Sequence, residues 1–273
     1  MKDDGGWGYV LGHTDGELGR LERQAAIFSE ATEDVLRRAG IGPGMKVLDV
    51  GCGVGDVSMI AAALVGPGGS VVGIDQAAEG LGLATRRAEA AGFDWLGFRQ
   101  ADVHAIDGSE SFDAVVGRFI LMHLPDRAAG LRGITRAVRP GGVVAFIEMD
   151  ITSATSQPPF PLLTRCMDWI IDLYAEVGVE AEMGSKLYGT FRAAGLTPTM
   201  VGNTRVEAGP DALAYDYVAE SIRSLAPLLE RRGIATAAEM DVDTLSERLR
   251  RDALAGDHCF VFPRLIGAWA TKA

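Results

Sequence analysis

The apolar positions of this chain follow two different periods, and the switch between them marks out the elements. From Leu18 onward, Leu21, Ala25, Phe28, Ala31 and Val35 recur every three or four residues, which predicts an amphipathic helix ending near Gly40. IGPGMK then turns the chain into a series of alternating units. VLDV (47–50) reads as a buried strand, GCGVG (51–55) as a tight turn, and 56–65 as a helix closed by GPGGS (66–70). VVGID (71–75) is a second strand, followed by a helix over 81–91, a short strand over 96–100 and a loop over 101–107. FDAVVGRF (112–119) is a further strand, 127–138 a helix, RPGG (139–142) a turn, and VVAFIEM (143–149) another strand. Strand and helix alternate throughout, so a parallel sheet covered on both faces is expected.

After Asp150 the rhythm changes. SATSQPPFP (153–161) reads as a loop before an apolar helix over 162–177, too long for a simple connection and read here as a cap. A sheet-covering helix over 185–195, a strand over 199–206, helices over 211–232 and 242–254 and a last strand over 263–270 follow. The 273 residues are therefore expected to form one domain. Its parts are an N-terminal lid and helix (1–40), a ligand-binding core (41–150), helical insertions (151–184 and 210–256) and the remaining sheet elements (185–209 and 257–273).

Composition narrows the function. Lys plus Arg number 26 against 37 Asp plus Glu, a net charge of −11, and both halves of the chain are acidic. A protein gripping nucleic acid through phosphate neutralisation needs the opposite balance, so nucleic acid is excluded as a partner. Cys52, Cys166 and Cys259 are too far apart for a disulfide framework or a CxxC metal site, which points to a reducing, cytoplasmic setting with no metal. The longest apolar stretches, 59–65 and 143–147, fall far short of the ~20 residues of a membrane helix, and MKDDGGWGYV lacks the apolar core of a signal peptide.

One segment carries most of the functional signal. Asp49-Val50-Gly51-Cys52-Gly53-Val54-Gly55 joins a buried strand to a helix. Glycines there permit positive φ and let backbone N–H groups approach a ligand at the strand's carboxyl end. The dinucleotide fingerprint is G-x-G-x-x-G, whereas this loop runs G-x-G-x-G with Asp56 where the last fingerprint glycine would stand. An acid two positions before the first glycine favours a ligand carrying positive charge over a pyrophosphate.

On these residues the chain resembles the class I S-adenosylmethionine-dependent methyltransferases, whose first motif is (D/E)-x-G-x-G-x-G. The resemblance covers about the first 150 residues, and it implies a Rossmann-like, doubly wound α/β fold: a seven-stranded, mostly parallel sheet with an antiparallel last strand, plus helical cap insertions. It implies S-adenosylmethionine as cofactor and S-adenosylhomocysteine as product. It places Gly51, Cys52, Gly53 and Gly55 against the cofactor, Asp75 with Gln76 at the ribose, and Asp102 with Val103 at the adenine. FDAVVGRFILMHLPD and RAVRPGGVVAFIE resemble the fourth-strand motif and the helix, turn and fifth strand of small-molecule, natural-product methyltransferases. The acceptor is then a small organic molecule, methylated at O, N or C.

The resemblance also suggests a catalytic group. Some relatives place a histidine after the fourth strand, here His123, and an acid just after the fifth, here Glu148 or Asp150. His123 reads either as a general base or as a loop histidine. Arg118 could orient the acceptor or the methionine carboxylate, or pair with an acid. Tyr9, in GGWGYVLGH (5–13) with Trp7 and His13, reads as a lid contact or a frayed terminus. Met167, Trp169, Ile170 and Tyr174 form a stripe that reads as core, with one edge free for an acceptor pocket. A homodimer is compatible with all of this. The competing functions are a cofactor-binding homologue without methyl transfer, such as a cyclase or regulator, and a nicotinamide-dependent oxidoreductase, which lacks support because no Tyr-x-x-x-Lys pair is found.

Overall fold

The computed structural model describes residues 15–106, 108 and 111–273, so Tyr9 and its neighbours Trp7 and His13 lie outside the described residues. Helix α1 (Asp15–Arg38) leads into β1 (Lys46–Val50), α2 (Asp56–Val65), β2 (Ser70–Asp75), α3 (Ala78–Ala90) and β3 (Leu96–Gln100). Next come β4 (Phe112–Arg118), α4 (Arg127–Thr135) and β5 (Val138–Asp150). The remaining elements are β6 (Thr155–Gln157), α5 (Pro161–Val177), α6 (Met183–Ala193), β7 (Thr199–Asn203), β8 (Val206–Glu207), α7 (Ala214–Arg231), α8 (Ala237–Met240), α9 (Leu245–Ala255), β9 (Cys259–Val261) and β10 (Arg264–Thr271).

The main sheet has seven strands in the order β3-β2-β1-β4-β5-β10-β7. β1 pairs in parallel with β2 and β4, and β5 in parallel with β4, whereas β10 runs antiparallel to both its neighbours. The strands cover both faces of the sheet with apolar side chains. Val47, Val71, Ala114, Val116 and Ala145 pack with α1 and α2 on one face, while Leu48, Val50, Ile74, Val115, Val144 and Phe146 build the larger core on the other. Strand alternation puts Asp49 on the same face as Val47, so its carboxylate points toward α2. Parallel strands joined by right-handed crossovers bring their carboxyl ends to one edge, and ligands of such sheets bind there.

Three expectations need correction. The 199–206 strand stops at Asn203, and Val206 already belongs to a second, three-stranded sheet, β6-β9-β8. The expected loop over 153–161 supplies the edge strand β6 of that sheet, paired with β9. Strands of two or three residues are too short to show an alternation, and only their pairing with distant segments defines them. The RPGG turn is drawn into β5 itself: Gly141 donates to the Lys272 carbonyl and Lys272 N–H to the Gly142 carbonyl, extending the ladder beyond β10. Helix α8, opened by a capping box between Thr236 and Glu239, was not anticipated, although Thr-x-x-Glu is a readable N-terminal signal.

Candidate active site

The glycine loop after β1 is held by contacts that only glycine permits. Gly51, Gly53 and Gly55 all have positive φ (68°, 53° and 87°). A Cβ on Gly55 would lie 2.9 Å from Phe98 Cζ and 3.1 Å from Ala84 Cβ, so this glycine is fixed by packing as well as by conformation. Gly53 differs, because no described residue lies within 4 Å of the position its Cβ would take. The loop therefore offers an open backbone face at Gly53, with room for a ligand to approach.

Two carboxylates frame this loop. Asp49 is fully buried; its Oδ2 accepts from Ser58 Oγ at 2.6 Å, while Oδ1 has no hydrogen-bond partner among the described residues. Burial pushes its pKa up to about 7, against the Ser58 hydrogen bond and the Arg118 charge, which pull it down. Asp75 is partly exposed, and it accepts from Gly53 N–H at 2.8 Å and Ala77 N–H at 2.9 Å. A carboxylate offers about four acceptor positions, so Asp75 retains capacity for two hydroxyl donors of a ligand. Gln76 beside it is exposed, and its carbonyl accepts from Gln100 Nε2.

Register carries the row further. Asp75 pairs with Gln100 across β2 and β3, which brings the segment following β3 alongside the end of β2. Asp102 is exposed there, accepts from His104 N–H at 2.8 Å and opens a short 3-10 turn in which Val103 is buried. The structure thus lines up Asp49, Gly51, Gly53, Asp75, Gln76, Asp102 and Val103 along one edge of the sheet. Cys52 sits within the loop with its thiol buried; burial first, and then the charges of Asp49 and Asp75, raise its pKa far above the ordinary range. It stays a protonated thiol, unsuited to nucleophilic attack.

At the end of β4 the residues divide into exposed and enclosed. Arg118 has a side chain only 6 % exposed; it reaches Asp56 at 3.3 Å and Thr32 Oγ1 at 3.0 Å, and its guanidinium lies over Phe28 and Phe119. Asp56 also receives Arg87 at 2.7 Å, so the residue that breaks the dinucleotide spacing joins α2, α3 and β4 through ion pairs, and the Arg118 bond to Thr32 ties in α1. Of the open readings for Arg118, the geometry displays pairing with an acid. His123 closes the 3-10 turn Leu121–His123 and is exposed, while surrounding protein still holds its pKa below the ordinary histidine value.

Glu148 and Asp150 are both fully buried. Glu148 Oε1 accepts from the N–H groups of Ile120 (3.0 Å) and Leu121 (2.7 Å), and burial pushes its pKa up to about 8. Asp150 accepts from Ser185 N–H at 2.7 Å, from the Ser185 hydroxyl and from Arg264 at 3.1 Å. The expectation of an acid open to the acceptor after the fifth strand therefore needs correcting, because both carboxylates are enclosed by protein. Sequence reading missed Ser58 and Ser185, the donors to Asp49 and Asp150. Ser58 lies in the first turn of α2, where such a partner could have been sought, but Ser185 is 35 positions from Asp150 and gives no local sign.

A family model described as "Methyltransferase domain" matches residues 41–195, more than half of the chain. The chain belongs to the methyltransferase domain family. Its match spans the glycine loop, both framing carboxylates and the His123 turn. Among relatives, the ubiquinone biosynthesis O-methyltransferase of Paracidovorax citrulli is 39 % identical over 111 residues, 39 % of this chain and 45 % of that one. The demethylmenaquinone methyltransferase of Bacillus cytotoxicus is 32 % identical over 127 residues, 46 % of this chain and 51 % of the relative. In both, the match spans about half of the relative's length. The crystal structure of the YcgJ protein of Bacillus subtilis shares the fold of this methyltransferase domain, with a TM-score of 0.59 and 17 % identity over 89 % of this chain and 99 % of the other. No helix among the described residues is long and apolar enough to cross a membrane.

Proposed function

We propose that this chain transfers a methyl group from S-adenosylmethionine to an O, N or C atom of a small organic acceptor, leaving S-adenosylhomocysteine. The observation that carries the reading is the open backbone at Gly53, tied to Asp75, whose carboxylate keeps acceptor positions for two ribose hydroxyls. The bound donor supplies an already activated methyl group on a positively charged sulfur. The S–C bond breaks with its electron pair left on sulfur, and a lone pair of the acceptor forms the new bond. The protein's task is then to hold the acceptor in line and to exclude water.

The residues fit such a ligand in charge as well as in shape. Asp49 is closed to solvent and acts across the thin glycine loop rather than by contact: a cationic ligand favours its charged form, and that form in turn favours the cation. Asp102 and Val103 are offered for the adenine amino group and Arg118 for the methionine carboxylate, in exchange for its bond to Asp56. His123, exposed at the carboxyl edge and held neutral near pH 7, is suited to take the proton that an acceptor hydroxyl or ammonium must lose. The relatives named for ubiquinone biosynthesis and demethylmenaquinone support a quinone-like small molecule as the acceptor. The three free thiols support a reducing, cytoplasmic setting, and the net charge of −11 speaks against a nucleic-acid partner.

Thermal shift with S-adenosylmethionine, S-adenosylhomocysteine and NADH tests the cofactor, with stabilisation expected from the first two. Stabilisation by NADH alone would refute the reading. Labelled methyl transfer to small molecules of a cell extract then separates a methyltransferase from a homologue that only binds the donor.

A further inference from the structure

The loop that carries His123 is built on an unfavourable backbone. Phe119 follows β4 with φ 58°, a left-handed conformation that a bulky residue rarely adopts, and Ile120 returns to the right-handed region at φ −110°, ψ −40°. Consecutive left- and right-handed residues turn successive N–H groups toward one side, forming a concavity that attracts an anion. Glu148 fills it from β5, with Oε1 accepting from both Ile120 and Leu121. Both N–H groups would otherwise be buried without a partner, and their two bonds to one carboxyl oxygen offset the strain at Phe119.

The same turn is gripped from its other side by the cap. Glu180 N–H donates to the Met122 carbonyl at 2.9 Å, and Ile151 N–H, at the end of β5, donates to the Ala181 carbonyl at 2.7 Å. The Glu180 carboxylate is itself held by Lys186 at 2.7 Å and faces Arg127 at 3.9 Å. His123 N–H closes the turn onto the Ile120 carbonyl at 3.1 Å. The imidazole therefore stands on a three-residue turn whose two sides are clamped by β5 and by the segment between α5 and α6.

We infer that Glu148 is a positioning residue: seated in the amide concavity that opens the Leu121–His123 turn, it sets where the His123 imidazole stands at the carboxyl edge, without touching the acceptor. Its complete burial removes it from any acceptor, while Oε1 is committed to the loop and Oε2 is enclosed without a partner among the described residues. The inference rests on His123 facing the acceptor, but its test does not need an acceptor.

The full chain saturated with S-adenosylhomocysteine is compared with its Glu148→Ala, Glu148→Gln and Glu148→Asp variants. NMR follows the titration of His123, assigned with His123→Asn, and amide hydrogen exchange at Ile120 and Leu121. In Glu148→Ala the His123 titration should move up toward the ordinary histidine value, and exchange at the two amides should speed by about tenfold or more. Glu148→Gln keeps a carbonyl for both N–H groups and should restore the His123 titration, whereas Glu148→Asp, one methylene short, should not. If Glu148→Ala fails to fold, the contrast between Gln and Asp decides. An unchanged His123 titration in both Ala and Asp, or a Gln variant that behaves like Ala or Asp, overturns the inference. Labelled methyl transfer by His123→Asn, run in parallel, bears on His123 as base and leaves the loop readings unaffected.

Discussion

Individual side chains divide here by exposure more sharply than by type. Five acids stood at or near the carboxyl edge in sequence, and the structure leaves only Asp75 and Asp102 accessible while enclosing Asp49, Glu148 and Asp150. Asp75→Ala should lower affinity for S-adenosylhomocysteine by about a hundredfold, since it removes charge-assisted bonds from both ligand and loop; titration calorimetry reads this directly. His123→Asn should slow transfer to a hydroxyl acceptor by about a hundredfold or more, with cofactor affinity unchanged. Glu148 has a separate signature in stability. In the unfolded chain its carboxyl loses its proton near 4.5, but in the folded chain only near 8. Its contribution is thus fully present below about 4.5 and is lost as pH rises through about 8. Urea midpoints measured from pH 5 to 8.5 should fall in the native protein and flatten in Glu148→Gln, with a residual slope from Asp49, which is raised in the same direction to about 7.

At the scale of elements, the glycine loop shows how far spacing alone can be read. D-x-G-x-G-x-G was legible because three closely spaced positive-φ positions demand glycine, and an acid before them has few uses in a dinucleotide loop. What each glycine does was not legible. Gly55 is enclosed by Phe98 and Ala84, whereas no described residue lies within 4 Å of the Cβ position of Gly53. Gly55→Ala should therefore destabilise the fold by more than the ~1–2 kcal/mol of a left-handed alanine, seen as a drop in melting temperature. Gly53→Ala carries a similar conformational cost without a packing clash, and should lose cofactor affinity more than its packing would suggest. Helices α2, α5 and α6 and strands β1 to β4 lay close to their expected positions, because periodic segments record their own burial. β6, β8 and β9 did not, since a two- or three-residue strand is defined only by its partners.

For the whole molecule, the cap and the sheet share one hydrophobic core, and Asp150 is a polar point at which they are joined. It lies at the end of β5, bridges to Glu182 and binds Ser185 of α6 and Arg264 of β10. Ser185→Ala should cost about 1–2 kcal/mol, with faster hydrogen exchange concentrated in α6 and the segment before it, because a buried carboxylate loses a hydroxyl donor. The same junction includes Glu180, whose backbone holds the His123 turn, so rearrangement of the cap reaches the candidate base directly. The sequence by itself determined the class of fold, the strand that carries the glycine loop and the acids of the carboxyl edge, because periodicity and obligatory glycines are local properties of a chain. Only the tertiary structure decided which carboxylates remain open, that Arg118 is paired with Asp56, and that Glu148 and Glu180 clamp the His123 turn. Those outcomes depend on burial and on partners between 27 and 62 residues away, where linear order carries no record of contact.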